Sequence, residues 1–242
     1  MPEGPSLRIL RESAVSFKGR KIIAVSGNTK TDKDRLLNQK VIDFRTWGKH
    51  FLICFRDFTV KIHLMMFGSI LVNEKKPIAE RLHIAFDNGE INFYNCSVRI
   101  LEGWVDTLYD FSSDVLSESW SPQKAHEKLL HIPDEMVCDA LLEQDIFSGV
   151  GNIIKNEVLY RIKVHPESLA GKLPEGKMDE MVAEARNYSF DFLRWKKQYE
   201  LKKHWLVYRK SHCPQCGQKI TRRYTGKKNR VSYFCANCQV LY

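Results

Sequence analysis

Short stretches of alternating hydrophobic and polar residues fill the chain from residue 21 to residue 102. Gly, Asn and Asp interrupt them, as at Asp87-Asn88-Gly89, a sequence typical of a tight hairpin turn. Several such strands in succession predict an antiparallel β-sandwich or barrel. Before them, hydrophobic residues at helical spacing predict a helix over residues 6–17.

The pattern becomes helical after Asp106. Ser121-Pro122 marks a helix start, because proline fits the first helical position. Further helices are predicted over residues 135–143, 152–161 and 178–197, with a loop at 171–176. The predicted fold class is therefore α+β. An N-terminal antiparallel β-sandwich domain occupies residues 1–115, a helical domain residues 116–204, and a small module residues 205–242.

The bulk composition predicts a folded globular protein, since 43% of the 242 residues are hydrophobic. No apolar run reaches the 18 residues of a membrane-spanning helix. The charged opening lacks the apolar core of a signal peptide. We therefore expect a cytoplasmic protein without a membrane partner.

The positive charge is concentrated in the last fifth of the chain. Residues 196–242 contain twelve Lys and Arg but a single acidic residue, Glu200. Aromatic residues such as Trp205, Tyr208 and Tyr233 lie among these charges. Basic charge gathered in one module, with aromatic rings able to stack on bases, predicts a nucleic-acid partner rather than a merely solvated surface.

Four of the seven cysteines form two closely spaced pairs, Cys213-x2-Cys216 and Cys235-x2-Cys238. Two such pairs separated by 18 residues predict one structural Zn²⁺ with all four coordination positions filled. A single redox pair is the weaker alternative. The residues between the pairs form a predicted hairpin whose tip carries Lys227 and Lys228. Cys54, Cys96 and Cys138 have apolar neighbours and are interpreted as buried thiols.

Two further segments are candidates for chemistry. The glycine-rich turn before Asn152 predicts a helix N-terminus suited to phosphate, with Asn152 as the N-cap. At the start of the chain, removal of Met1 makes Pro2 a terminal secondary amine. Such an amine titrates near pH 8, so much of it is unprotonated and nucleophilic at neutral pH. Glu3 beside it can exchange protons.

These motifs, in this order, resemble the formamidopyrimidine-DNA glycosylase and endonuclease VIII family along the whole chain. The opening PEGP is similar to the endonuclease VIII branch, and Gly48-Lys49 to the family's glycine-lysine turn. Residues 146–157 resemble its helix–two-turn–helix. Cys213 to Cys238 resemble its zinc finger, with Arg230 at the hairpin arginine.

The resemblance implies a monomeric base-excision repair enzyme acting on double-stranded DNA with damaged bases or abasic sites. We expect this enzyme in the bacterial cytoplasm, associated with the nucleoid through DNA. Pro2 would attack the sugar C1′ as the base leaves, and the resulting Schiff base would promote β- and then δ-elimination. Glu3 would move protons at the sugar, and Lys49 would contact phosphate or act as an acid. Asn152 and Arg230 would grip phosphates.

The resemblance also implies a wedge that fills the space left by the extruded nucleotide. Met66, or its neighbours Met65 and Phe67, would intercalate there. The formamidopyrimidine branch has a further Arg-x-Phe wedge after an Asp-Pro stretch, and residues 94–100 lack both the Asp-Pro and the Phe. This favours the endonuclease VIII branch, which prefers oxidised pyrimidines.

Two alternatives remain open. The first is a glycosylase for 8-oxoguanine and formamidopyrimidines. The second is a non-catalytic binder of damaged or abasic DNA, because Ser6 stands where the family's opening usually has a second glutamate. A zinc-ribbon module of transcription or translation would give the Pro2-Glu3 opening and the Gly48-Lys49 turn no role.

Overall fold

The computed structural model describes residues 2–242, which form two compact units divided after Asp110. Among these residues, no helix combines the length and the apolar character needed to cross a membrane. The first unit contains an antiparallel sheet with one long helix. The second contains the other long helices and a two-stranded hairpin. The predicted α+β class, with β structure first and helices after it, is confirmed.

The first unit begins with helix α1 and continues into six strands. Their bounds are α1 Gly4–Ala14, β1 Ala24–Ser26, β2 Asp43–Trp47, β3 His50–Cys54, β4 Phe58–Val72, β5 Leu82–Phe86 and β6 Gly89–Glu102, followed by the short helix α2 Val105–Leu108. The strands form one sheet in the order β1-β5-β6-β4-β3-β2, and every neighbouring pair is antiparallel. The predicted turn at Asp87-Asn88 joins β5 to β6.

The apolar side of α1 packs into the core of this sheet. Leu7 and Ala14 are fully buried, and Phe17, just after the helix, stacks on Phe86 with ring centroids 4.6 Å apart. The guanidinium of Arg11 donates to the carbonyl of Phe44 at 2.6 Å. Helix α1 therefore lies against β2 and β3, the strands that flank the Gly48-Lys49 turn.

The long strands β4 and β6 are interrupted by a bulge. Leu64 pairs with Cys96 and Ser69 pairs with Tyr94, so four residues of β4 lie opposite Asn95 alone. Gly68 is required here, because a Cβ atom at this position would lie 2.5 Å from the carbonyl oxygen of Asn95. The bulge projects residues 65–67 out of the sheet.

The second unit contains four helices and the hairpin. They are α3 Pro122–Leu130, α4 Val137–Ala140, α5 Asn152–Arg161, α6 Glu175–Lys197, β7 Thr221–Thr225 and β8 Arg230–Phe234. The hydroxyl of Ser121 accepts a hydrogen bond from the backbone N–H of Lys124, so the predicted start of α3 is confirmed. Helix α5 has the predicted bounds.

Two predictions in this unit were wrong in extent. The helix expected over 135–143 is only the four residues of α4. Met136 before α4 has an extended backbone, and the N–H groups of Leu142 and Glu143 after it bond three rather than four residues back, so the α-helix continues in neither direction. The expected loop at 171–176 ends early, because α6 begins directly after Pro174.

Candidate active site and nucleic-acid interface

The N-terminal segment contains a buried acidic residue next to the candidate nucleophile. Pro2 is partly exposed, whereas Glu3 is only 4% exposed. Glu3 has an extended backbone, and its carbonyl accepts from the N–H of Ser6 at 2.8 Å in the first turn of α1. The packing of α1 therefore fixes the position of Glu3, and with it the direction in which Pro2 leaves the helix.

The turn that carries Lys49 is a two-residue hairpin connection between β2 and β3. Trp47 pairs with His50 across it, and Gly48 has a φ of 53°, a conformation that favours glycine. Lys49 is half-buried. A short hairpin turn between paired strands fixes the backbone position from which the Lys49 side chain extends.

A cluster of aromatic rings supports this turn. The ring of His50 lies 5.5 Å from Trp47, 5.3 Å from His63 and 5.8 Å from Tyr109. Burial, reinforced by the charge of Lys61, lowers the pKa of His50 to about 3. Burial also lowers the pKa of His63, whose ring is hydrogen-bonded to the Lys49 backbone. Both imidazoles are therefore neutral at neutral pH and add no charge beside Lys49.

The bulge of β4 presents three large hydrophobic side chains to solvent. Met65 is 49% exposed, Met66 62% and Phe67 86%. Phe67 has a φ of 65°, a left-handed conformation that is uncommon for a bulky residue. The side-chain amide of Asn95 donates to the carbonyl of Met66 at 2.6 Å and holds the bulge in shape. Such a fixed apolar projection has the character of a wedge.

The predicted phosphate-binding turn lies in the second unit. The N-cap of α5 is Gly151, so the prediction that Asn152 is the N-cap was wrong. Asn152 is the first residue of the helix, and its side-chain amide donates to the carbonyl of Val231 at 2.9 Å. Its Oδ1 is buried without a hydrogen-bond partner among the described residues. Asn152 is thereby tied to the residue that follows Arg230.

The hairpin between β7 and β8 carries the three predicted basic contacts. Arg230 is exposed at the start of β8. The ammonium of Lys227 pairs with Glu135 at 2.9 Å, and that of Lys228 pairs with Glu143 at 2.5 Å. Asp139 accepts from the backbone N–H groups of both lysines. The hairpin tip is therefore anchored to the helical part of its own unit.

The four paired cysteines meet at the base of this hairpin. Their sulfur atoms all lie within 4.8 Å of one another. Two of the separations are 3.8 Å for Cys213–Cys238 and 3.5 Å for Cys216–Cys235. Thiolates bound at ~2.3 Å on a tetrahedron lie about 3.8 Å apart, so the cluster has the right size for one metal ion. The hydroxyl of Tyr160 is 3.1 Å from the sulfur of Cys213 and can orient it.

Sequence reasoning missed two buried acids that hold the basic module. Asp139 binds the hairpin tip, and the carboxylate of Glu157 accepts from the backbone N–H groups of Leu206, Val207 and Tyr208. Burial raises the pKa of Glu157, against the effect of these hydrogen bonds. In the sequence, both acids lie within the predicted helices over 135–143 and 152–161. A carboxylate that is buried in such a helix needs hydrogen-bond partners, because burying it unpaired is costly.

Comparison with known proteins identifies two family domains in this chain. The formamidopyrimidine-DNA glycosylase N-terminal domain matches residues 1–100, and the formamidopyrimidine-DNA glycosylase H2TH domain matches residues 111–188. Two solved structures share the fold. A viral DNA glycosylase has a TM-score of 0.85 at 23% identity and covers 98% of this chain and 100% of its own. Lactococcus lactis Fpg, non-covalently bound to DNA with an AP site, has a TM-score of 0.85 at 21% identity, covering 98% and 99%.

Similar sequences occur among animal proteins. Endonuclease 8-like 3 of Xenopus laevis is 33% identical over 232 residues, which are 90% of this chain and 38% of that protein. Endonuclease 8-like 2 of Mus musculus is 32% identical over 198 residues, which are 74% of this chain and 57% of that protein. The chain thus spans less than two thirds of either relative. The two matched domains follow one another and cover most of the chain, which therefore belongs to the formamidopyrimidine-DNA glycosylase and endonuclease VIII family.

Proposed function

We propose that the protein is a bifunctional DNA glycosylase and abasic-site lyase of base excision repair. The observation that carries this proposal is the N-terminal segment, where the buried residue Glu3 directly follows Pro2 in the sequence. That segment is part of the matched N-terminal family domain. A buried carboxyl next to a terminal secondary amine is a suitable pair for an attack that requires proton transfer.

The reaction proceeds through an iminium ion. The nitrogen of Pro2, exposed by removal of Met1, bonds to C1′ of the deoxyribose and loses its proton, and the damaged base leaves with the electrons of the glycosidic bond. The nitrogen lone pair then expels O4′ from C1′, O4′ takes up a proton, and the opened sugar is an iminium ion. The iminium formed from a secondary amine has no N–H to lose and stays cationic. It withdraws electrons and acidifies the C2′ hydrogen. Loss of that proton expels the 3′-phosphate, and a second elimination releases the 5′-phosphate.

The other predicted residues bind the substrate, which is duplex DNA with a damaged base or an abasic site. Asn152 and Arg230 contact phosphates near the lesion, and Lys49 contacts a phosphate or donates a proton. Residues 65–67 fill the space of the extruded nucleotide. Lys227 and Lys228 can exchange their partly exposed acidic partners for phosphates, since such ion pairs contribute only about 0–1 kcal/mol.

The metal ion is Zn²⁺ and its role is structural. Four thiolates fill a tetrahedral site, and Zn²⁺ is the ion that commonly takes this donor set. The Zn²⁺ holds the hairpin that carries Arg230. The enzyme acts as a monomer. The site of action is the DNA of its cell. The relatives named above are animal proteins, so the bacterial cytoplasm expected from the sequence remains a prediction.

Oxidised pyrimidines are the favoured lesions, as the similarity to Endonuclease 8-like proteins supports. 8-oxoguanine is the second candidate. The test incubates the protein with duplexes carrying thymine glycol, dihydrouracil, 8-oxoguanine or an abasic site. Release of base together with strand cleavage is expected. Binding without release or cleavage of any duplex would instead establish a non-catalytic binder.

A further inference from the structure

Two polar residues of α5, Lys155 and Asn156, are buried although neither belongs to a predicted contact. Lys155 is 0% exposed and Asn156 is 2% exposed. Burying an ammonium group or an amide costs free energy unless hydrogen bonds compensate it. The hydrogen-bond partners of Lys155 and Asn156 therefore indicate which part of the structure these side chains stabilise.

Three side chains of α5 converge on one backbone oxygen, the carbonyl of Val231. The amide of Asn152 donates to it at 2.9 Å, the ammonium of Lys155 at 3.3 Å and the amide of Asn156 at 3.4 Å. Val231 directly follows Arg230 in β8. The backbone beside Arg230 is thus fixed by the first turns of the helix that begins with Asn152.

The same two residues hold the next positions of the strand. Oδ1 of Asn156 accepts from the N–H of Tyr233 at 2.7 Å, and Lys155 donates to the hydroxyl of Ser232 at 2.8 Å. In a two-stranded sheet, β8 has one edge without a neighbouring strand. The side chain of Asn156 substitutes for a neighbouring strand along that edge, because it hydrogen-bonds to one backbone carbonyl and one backbone N–H of β8.

We propose that Asn156 and Lys155 are positioning residues that hold Arg230 and Asn152 on one phosphate-binding surface. Both are too buried to touch DNA, so they act through the backbone at Val231. The inference rests on the proposed function, in which Arg230 and Asn152 contact phosphates. Beyond that function, we infer that these phosphate contacts depend on how α5 and β8 are aligned with each other.

A double-mutant cycle tests the inference. Binding of the full-length protein to a duplex with a tetrahydrofuran abasic analogue is measured for Arg230→Ala, Asn156→Ala and the double variant. Loss of a charge-assisted bond to phosphate should weaken binding about tenfold in Arg230→Ala. Asn156→Ala should cost about fivefold, and the double variant should bind no more weakly than Arg230→Ala alone, because coupled residues are not additive.

The matched control is Asn92→Ala, the same substitution at an amide that is 0% exposed in the first unit. Any effect of Asn92→Ala on the binding free energy should simply add to the effect of Arg230→Ala. An additive cycle for Asn156 would overturn the inference while leaving Arg230 in the interface. No effect of Arg230→Ala by itself would remove Arg230 from the proposed interface, and the inference with it. If Asn156→Ala fails to retain Zn²⁺, the same cycle with Lys155→Met decides between these outcomes.

Discussion

Glu3 differs from an ordinary surface carboxylate because α1 holds it at 4% exposure beside Pro2. A buried side chain at this position has little freedom to change its orientation. General acid–base catalysis depends on such positioning, as well as on the protonation state. In the proposed mechanism the first two residues of the described chain have separate tasks: Pro2 supplies the nucleophile and Glu3 handles protons.

We predict that Glu3→Gln slows base excision by roughly 10²- to 10⁴-fold, the usual contribution of a positioned acid or base. The amide keeps the shape of the side chain but cannot carry a proton between donor and acceptor. Cleavage of a preformed abasic site should fall less, because no base has to leave. Single-turnover measurements on a lesion duplex and on an abasic duplex check both parts. Equal activity of the variant and the parent on the lesion duplex would contradict the role of Glu3.

His50 should make the stability of the protein depend on pH. Its pKa falls from 6.5 to about 3 on folding, so its contribution is complete above about pH 6.5 and is lost as the pH falls toward 3. Replacing it by a ring that does not titrate, His50→Phe, should reduce the loss of unfolding free energy between pH 7.5 and pH 5 by about 2 kcal/mol. Urea unfolding at the two pH values measures this difference. An unchanged loss in the variant would show that His50 is protonated in the folded state.

The bulge in β4 exposes to solvent residues that in a regular strand would be buried or paired. Four residues opposite Asn95 cannot continue the sheet, so Met65, Met66 and Phe67 project outward. Their exposure in succession is unusual for a folded domain, where apolar side chains gain free energy by burial. The element has the shape and chemistry to enter a base stack.

Phe67→Ala is predicted to weaken binding to a lesion duplex by about 1–3 kcal/mol, the loss expected for one stacking contact. Folding should be unaffected because the ring is 86% exposed. The matched control is Ile78→Ala, which removes another exposed hydrophobic side chain of the same unit, 58% exposed. Titration of labelled duplexes compares the two variants. An equal effect of both would argue against a wedge at the bulge.

The elements that could be predicted from sequence are those set by local rules. The hairpin at Asp87-Asn88 and the start of α3 at Ser121 follow from turn and capping chemistry. The bounds of α5 were predicted as well, although its N-cap is Gly151 and not Asn152. The cysteine spacing likewise predicts a cluster of metal ligands. The four-residue bulge could not be predicted, since it depends on the pairing of β4 with a strand about thirty residues away. The backbone N–H at the start of α4 and the buried ammonium of Lys155 also bond to distant partners, Ser168 and β8.

At the scale of the whole molecule, charge distribution governs affinity for DNA. The chain carries a formal charge of +9, most of it near the C-terminus. Two buried acids, Glu157 and Asp139, hold the basic module in place by accepting from its backbone N–H groups. The charge that remains exposed is available for phosphates, whose counterions are released on binding.

The salt dependence of DNA binding should therefore be steep and should differ between hairpin residues. Arg230→Ala is expected to reduce the slope of log K against log [salt] by about one, the effect of losing one phosphate contact. Lys227→Ala should reduce it less, because Lys227 already pairs with Glu135. Binding measured from low to moderate salt gives both slopes. A flat dependence for the parent protein would exclude phosphate contacts as the main source of affinity.

The most direct test of Pro2 as the nucleophile is to trap the covalent intermediate and locate it. The protein is incubated with a lesion duplex in the presence of borohydride, digested with protease and analysed by mass spectrometry. We predict a sugar adduct on the peptide that begins at Pro2, and its loss when one residue is added before Pro2. An adduct on a lysine such as Lys49, or strand cleavage without any trapped adduct, would contradict it.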